Sequence, residues 1–169
     1  SSHKHDHHSH KHGRSLPDIK RIIGNSELSQ GVKNKSKKIF ENLAQAEAKI
    51  HGEPIEKIHF HEVGAVDAIV DIVGSVIGLD LLGVEKVIAS RLHTGNGFVK
   101  CDHGCMPVPA PATMELLKDI PIYSRGIEAE MVTPTGAAII TTLAEDFGPR
   151  PDMKVVSTGY GAGSWDLPI

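Results

Sequence analysis

The chain has 169 residues, of which 40% are hydrophobic and only 4% aromatic, so its core must be built from aliphatic side chains. The formal net charge is −3, and the acidic balance beyond residue 15 argues against nucleic acid as the main partner. Glycines and acidic residues interrupt the apolar runs, which argues against a membrane span, and two cysteines are too few for a disulfide-stapled secreted scaffold, which favours the cytoplasm.

The N-terminal segment, residues 1–15, carries six of the eleven histidines, interleaved with Lys, Asp and Ser. Such a segment has almost nothing to bury, and we expect it to be disordered. It is typical either of a low-affinity reservoir for nickel, zinc or copper or of a solvated linker. Residues 16–169 are expected to form a single domain cut from a longer protein, because the first residue is Ser and the chain ends without a clear terminal element.

Two helices and a strand are predicted next. The first helix begins at residues 16–18, where a proline lies in the first turn. Ser26 is placed to cap the second helix, which is predicted over residues 32–50 and ends at Gly52. Residues 55–60 predict a short strand that leads into a histidine cluster.

The histidine cluster combines nitrogen and oxygen donors at a corner of the chain. His59 and His61 alternate with apolar residues, as they would on one face of a strand, and Glu62 follows directly. After a glycine, the apolar run over residues 65–82 predicts a buried helix of about five turns.

Two carboxylates lie one turn apart on that helix. Asp67 and Asp71 share a face, where they would repel each other, and their burial would be costly. A cation between them, or a substrate that donates to both, would remove the penalty. With the imidazoles and Glu62 they suit nickel, zinc or manganese. The structural alternative is that Asp67 stabilises the first helical turn and that the histidines form a solvated strand face.

A strand over residues 84–89 and a glycine-containing connection precede a second group of possible ligands. Cys101 and His103 could supply a thiolate and an imidazole to a metal, although a single Cys-x3-Cys spacing is a weak signal. The prolines of residues 107–111 predict a stiff segment that enters a helix over residues 112–118. This segment could hold a phosphate or carboxylate, or simply cross the end of a sheet.

The last predicted elements surround a threonine- and glycine-containing turn. Two strands are expected, over residues 120–124 and 127–132, followed by a buried helix over residues 137–144 and a final strand over residues 154–158. The turn, residues 133–136, precedes the helix, with Thr135 as a plausible N-cap. Its amides could bind a phosphate, and an ordinary helix cap is equally compatible with the pattern.

Strands and helices alternate from residue 55 onward, which predicts a layered α/β or α+β domain, with a mixed sheet and helices packed on it. The candidate residues lie at junctions between strands and helices. Binding sites collect at such edges.

Several of these stretches together resemble the LarC family, the nickel insertion proteins of lactate racemase cofactor synthesis. The likeness covers most of residues 16–169, and a histidine-rich segment ahead of the first helix fits it too. The stretches that carry it are HFHEVGAVD at 59–67 with Asp71, CDHG at 101–104, PVPAPAT at 107–113, TPTGAA at 133–138 and GYGAG at 159–163.

The resemblance implies an enzyme of the lyase class, a cyclometallase that inserts Ni²⁺ into pyridinium-3,5-bisthiocarboxylic acid mononucleotide. The product is the nickel-pincer nucleotide, and lactate racemase apoprotein is a possible downstream partner. The family reaction depends on CTP with Mg²⁺ or Mn²⁺, which bind in a part of the protein that this chain does not resemble. The chain alone is therefore expected to be inactive, and a homo-oligomer is expected.

Site residues follow from the resemblance position by position. Metal ligands are expected at His59, His61, Glu62, Asp67 and Asp71. Catalytic roles are expected at His61, Glu62 and His103, since metallation of a ring carbon requires a base for the displaced proton. Substrate contacts are expected at Cys101, Thr133, Thr135 and Gly136, with the turn at residues 133–136 taking the phosphate. The alternatives are a nickel storage or metallochaperone module without catalysis and a metal-dependent phosphohydrolase.

Overall fold

Helices dominate the computed structural model, which describes residues 13–60, 66–101 and 104–163. The helices in these ranges are α1 (Leu16–Asn25), α2 (Gln30–His51), α3 (Val66–Leu81), α4 (Pro111–Leu116) and α5 (Pro134–Leu143). The strands are β1 (Arg14–Ser15), β2 (His59–Phe60), β3 (Ile88–Ala89), β4 (Leu92–His93), β5 (Phe98–Cys101), β6 (Gly104–Pro107), β7 (Ile122–Tyr123) and β8 (Asp146–Phe147). No helix in these ranges is both long and apolar enough to cross a membrane.

Helix α1 confirms the predicted start at Leu16. The hydroxyl of Ser15 accepts a hydrogen bond from the Asp18 amide at 3.3 Å and so caps the helix. Its residues Ile19 and Ile23 are buried in the core.

Helix α2 begins earlier than predicted, and the expected cap at Ser26 is wrong. Ser29 caps it instead, by accepting a hydrogen bond from the Val32 amide at 3.3 Å. The amide of Ser26 donates to the Ile23 carbonyl and thereby ends α1. Gly52 ends α2 with φ +66°, a left-handed conformation that glycine adopts without strain.

The core forms around α2, which packs against α1, α3, α4 and α5. Its 22 residues span about 33 Å, enough to reach all four partners. Phe40 meets Phe60 of β2 edge to face, with ring centroids 6.1 Å apart, and this contact holds the strand before the histidine cluster against the core. The remaining core is aliphatic, as the composition predicts.

Helix α3 buries only one stripe, so the prediction of a buried helix is wrong for half of its surface. Ala68, Ile72 and Val76 face the core, whereas Val66 and Val70 are 57% and 61% exposed. Asp67 and Asp71 lie on the exposed side. The expected burial penalty for these two carboxylates is therefore not incurred, because water solvates both.

The α/β fold class is confirmed. In the described ranges the strands form four two-stranded sheets and not one larger mixed sheet. Strands pair in twos, with β1–β2 and β5–β6 antiparallel and β3–β8 and β4–β7 parallel. The parallel pairs join segments far apart in the chain, as in the register of Ile88 with Asp146. They bring the loops after β3 and β8 to one edge.

Five predicted strands are shorter than expected or missing. Residues 55–57 form a 3₁₀ turn ahead of the two-residue β2. The strands expected over 84–89 and 120–124 have only two residues each, in β3 and β7. The segment 127–132 forms only an isolated bridge from Glu130 to Gly95, and residues 154–158 form no strand. Val156 in this segment is 95% exposed. A β-branched sequence forms a strand only where another strand lies beside it and accepts its hydrogen bonds.

Candidate functional site

An open groove of about 580 Å³ runs between α3 and the start of α5. Asp71 lines one wall, and Thr133, Thr135 and Gly136 line the other. The structure therefore brings one predicted metal ligand together with three predicted substrate-binding residues, although the two motifs lie some sixty positions apart in the sequence. We call this cavity the α3–α5 groove.

The α5 turn is a capped helix N-terminus, and its cap is Thr133 rather than the expected Thr135. The Thr133 hydroxyl accepts a hydrogen bond from the Gly136 amide at 3.1 Å, and the Thr133 carbonyl accepts one from the Ala137 amide at 2.8 Å. Pro134 carries no N–H. The Thr135 amide is the first-turn donor that these bonds leave available to an anion in the groove.

The two aspartates of α3 are placed differently. Asp71 faces the α3–α5 groove, while Asp67, one turn earlier, is exposed and does not line it. The Ser75 hydroxyl donates a hydrogen bond to the backbone carbonyl of Asp71 at 2.7 Å, so the Asp71 carboxylate is not used in that bond. Asp71 is thus the member of the pair that can meet a ligand held by α5.

His59 lies on β2, opposite Ser15 of β1 in the ladder, and is exposed. The hydrogen bond from the Ser15 hydroxyl, at 2.7 Å, is the main cause that lowers the pKa of Asp18, and an electrostatic interaction with His59 lowers it further. Among the described residues, His59 therefore lies beside the first turn of α1, next to Ser15 and close enough to Asp18 to interact with its carboxylate.

A complete metal-binding group is not visible in the described ranges, where no three His, Cys, Asp or Glu side chains come together as ligands would. His61, Glu62 and His103 lie outside the described residues. The predicted ligand set thus remains a prediction, in which His59, Asp67 and Asp71 have described positions.

The β5–β6 hairpin carries the cysteines. Cys101 is the last residue of β5, in register with Gly104 of β6. Cys105 of β6 is a free and exposed thiol. The hairpin brings the Cys101 segment beside a second cavity.

This second cavity is a cleft of about 310 Å³ between the end of α2, the hairpin and the start of α5. Its charged lining residues, which the sequence interpretation passed over, are Glu47, His51, Lys100 and Glu130. Glu47 and His51 lie one turn apart on α2, with 3.4 Å between a carboxylate oxygen and Nε2. The i,i+4 spacing of an acid and a histidine at a helix end was the available signal.

Comparison with known proteins places these motifs in context. The sequence model of the family described as "Nickel insertion protein" matches residues 2–169. A pyridinium-3,5-bisthiocarboxylic acid mononucleotide nickel insertion protein of Desulfitobacterium hafniense (strain DSM 10664 / DCB-2) is 60% identical over 162 residues, or 96% of this chain and 40% of that protein. A protein of the same name from Acetivibrio thermocellus is 52% identical over 94% of this chain and 40% of its own length.

A putative nickel insertion protein of Syntrophobacter fumaroxidans is 56% identical over 89% of this chain and 39% of its own length. The chain therefore spans about 40% of the length of the curated relatives that it matches. No solved structure matches it.

Proposed function

Because the chain belongs to the nickel insertion protein family, we propose that it forms part of an enzyme that inserts Ni²⁺ into pyridinium-3,5-bisthiocarboxylic acid mononucleotide. Nickel and the mononucleotide are both substrates of this reaction, which forms carbon–nickel and sulfur–nickel bonds. The observation that supports a role for this segment is the α3–α5 groove, where Asp71 lies across from Thr133, Thr135 and Gly136.

Nickel would be held by imidazole and carboxylate groups before transfer. We assign this role to His59, His61 and Glu62 together with Asp67 or Asp71, since these donors suit a borderline divalent ion. The exposure of His59, Asp67 and Asp71 supports the assignment, because an incoming hydrated ion can reach all three. Asp71 would then present nickel to a substrate in the α3–α5 groove.

The substrate would be contacted by Thr133, Thr135 and Gly136 on one side and Cys101 on the other. The available Thr135 amide at a helix N-terminus supports binding of an anionic group, either phosphate or carboxyl. Replacement of a ring proton by nickel needs a base that takes the proton from carbon. We assign that step to His61, Glu62 or His103, since imidazole and carboxylate side chains commonly serve as general bases.

The complete enzyme would include the remaining length of its relatives. We place CTP, with Mg²⁺ or Mn²⁺, in that remainder and expect this chain alone not to turn over. The product would be delivered to lactate racemase apoprotein in the cytoplasm.

A nickel titration by calorimetry tests the metal assignment. The full chain should be used with the six histidines before Gly13 replaced by serine, so that β1 and the Ser15 cap are retained while tail binding is removed. We expect this protein to bind nickel and the added change His59→Ala/His61→Ala to weaken binding at least tenfold. Equal binding by both proteins would refute the assignment. Loss of all nickel binding on removal of the tail histidines alone would place the metal in the tail and favour a storage module.

A further inference from the structure

A third cavity gathers arginines in a chain that is acidic overall. This open groove, of about 480 Å³, lies where the segments around β3, β4, β7 and β8 meet. Arg91, Arg125 and Arg150 line it, so three of the five arginines of the chain converge on one cavity. Tyr123 and Phe147 also contribute to the lining. We call this cavity the arginine groove.

The positive charge in the arginine groove is not neutralised by a carboxylate in the described residues. No aspartate or glutamate lines the cavity, and none of its three arginines forms an ion pair within those ranges. By contrast, Arg21 on α1 bonds to the Asp18 carboxylate at 2.8 Å. Because a guanidinium stays protonated in proteins, the groove holds permanent positive charge.

Two of the guanidinium groups are positioned by an aromatic ring. The Arg91 guanidinium lies 5.1 Å from the centroid of the Tyr123 ring, and that of Arg125 lies 5.4 Å from it. His93 meets the same ring edge to face at 4.8 Å, and its Nε2 accepts a hydrogen bond from the Arg125 amide at 3.1 Å. The stacking restricts both long side chains before a ligand arrives, which reduces the entropy lost on binding.

We propose that the arginine groove binds a phosphomonoester, with Arg91, Arg125 and Arg150 around the phosphate. A phosphate dianion offers three terminal oxygens to three guanidinium groups, whereas a single carboxylate offers two oxygens and one charge. Phe147 supplies an apolar surface for the group that carries the phosphate. An open cavity of this size admits a sugar or nucleoside monophosphate.

This site goes beyond the proposed function, because it involves no residue of the α3–α5 groove and requires no nickel. The phosphate could belong to a pyridinium mononucleotide or to another phosphorylated metabolite. Both sources share the phosphomonoester that the arginines recognise. The two sources can be distinguished by comparing the affinities of ligands that differ from one another in a single chemical group.

Calorimetry on the full chain without metal tests the proposal. The ligands are nicotinic acid mononucleotide, its riboside without the phosphate, ribose 5-phosphate and inorganic phosphate. We expect the mononucleotide to bind at least ten times more tightly than the riboside, and inorganic phosphate to compete with it. If ribose 5-phosphate binds with the same affinity as the mononucleotide, the groove is a general phosphomonoester site. If ribose 5-phosphate binds more weakly than the mononucleotide, the groove is a nucleotide site. Equal affinity for mononucleotide and riboside, or no binding of any phosphate compound at millimolar concentration, would overturn the proposal.

Matched variants connect the binding to the arginine groove. Arg125→Ala and Arg150→Ala should each weaken mononucleotide binding about tenfold or more, and Arg125→Lys should lose part of it because lysine lacks the bidentate fork. Arg21→Ala removes the same charge from α1 and should leave affinity unchanged. Thermal unfolding verifies that each variant is folded, and Arg125→Lys keeps the test valid if an alanine variant is not. An affinity that falls as much in Arg21→Ala as in Arg150→Ala would overturn the proposal, since it would reflect net charge alone.

Discussion

The hydroxyl of Thr133 accepts a hydrogen bond from the amide of Gly136 at 3.1 Å, and this bond fixes where α5 begins. Thr133→Ala removes the acceptor and should lower the free energy of unfolding by about 1 kcal/mol. Thr133→Ser should restore most of it, because serine caps a helix as well as threonine does. Urea denaturation measures both changes.

Thr135 provides the control for that experiment. Its side chain is not the cap, so Thr135→Ala should change the free energy of unfolding by less than about 0.5 kcal/mol. A larger loss in Thr135→Ala than in Thr133→Ala would contradict the observed cap. The sequence contained the deciding signal, since Pro134 is favoured at the first helical position and so places the cap one residue before it.

Gly95 lies too close to a neighbouring segment to carry a side chain. A Cβ at this position would lie 1.9 Å from the Ala129 carbonyl oxygen, and its φ is +74°. Gly95→Ala should therefore lower the free energy of unfolding by about 3 kcal/mol or more, since a backbone clash adds to the strain of positive φ.

Gly126 separates those two effects. It has φ +77° but open space around the position of a Cβ, so Gly126→Ala should cost only the conformational strain, about 1–2 kcal/mol. Denaturant unfolding of the two variants measures the difference. Equal losses would show that the segment bearing Ala129 moves away freely and that the approach to Gly95 is not a constraint.

Asp71 should be important for nickel and unimportant for stability. The carboxylate is exposed and one turn from Asp67, so Asp71→Asn relieves a repulsion worth about 0.2–0.5 kcal/mol and should leave the protein at least as stable. If Asp71 is a ligand, the same change should weaken nickel binding at least tenfold in the protein without tail histidines. Asp80→Asn, on the same helix, is the control. Nickel affinity that responds equally to both changes would refute a specific role for Asp71.

The helices could be predicted from the sequence because their signals are local. Apolar spacing and the capping glycine identified α2 to within two residues at either end, and the length of the apolar run over residues 65–82 located α3. The exposure of Val66 and Val70 was missed, because Asp67 and Asp71 beside them were interpreted as a buried ligand pair and not as the solvent-facing side of the helix.

Strands and grooves depend on pairings that the sequence does not display. Propensity predicted a strand over residues 154–158, yet no strand of the described ranges pairs with this segment. By contrast, Ile88 of β3 pairs with Asp146 of β8, far along the chain. The arginine groove is assembled from segments that are distant in sequence, and no short motif marks it. The α3–α5 groove differs, since the sequence motifs on both of its walls were recognised. The structure added only that the two motifs lie on opposite sides of one cavity.

Glu115 on α4 should make stability depend on pH. Hydrogen bonds from Lys118, at 2.6 Å, and from Lys49 of α2, at 2.7 Å, hold the pKa of its carboxyl below the ordinary value of 4.5. Glu115→Gln removes these ion pairs and the link that they make between α2 and α4. We therefore expect the variant to be less stable than the wild type at pH 7.

The direction of this pH dependence is set by whether the folded or the unfolded state binds the proton of Glu115 more tightly. A carboxyl whose pKa is lower in the folded state stabilises that state above its unfolded pKa, and the contribution disappears as pH falls through the folded pKa. The difference in unfolding free energy between wild type and Glu115→Gln should thus be constant above about pH 5.5 and shrink steadily below pH 4.5. Glu85→Gln is the control, because Glu85 is exposed and forms no ion pair in the described ranges. Urea denaturation across this range measures the effect, and a difference that persists undiminished well below pH 4.5 would show that Glu115 contributes through packing and not through its charge.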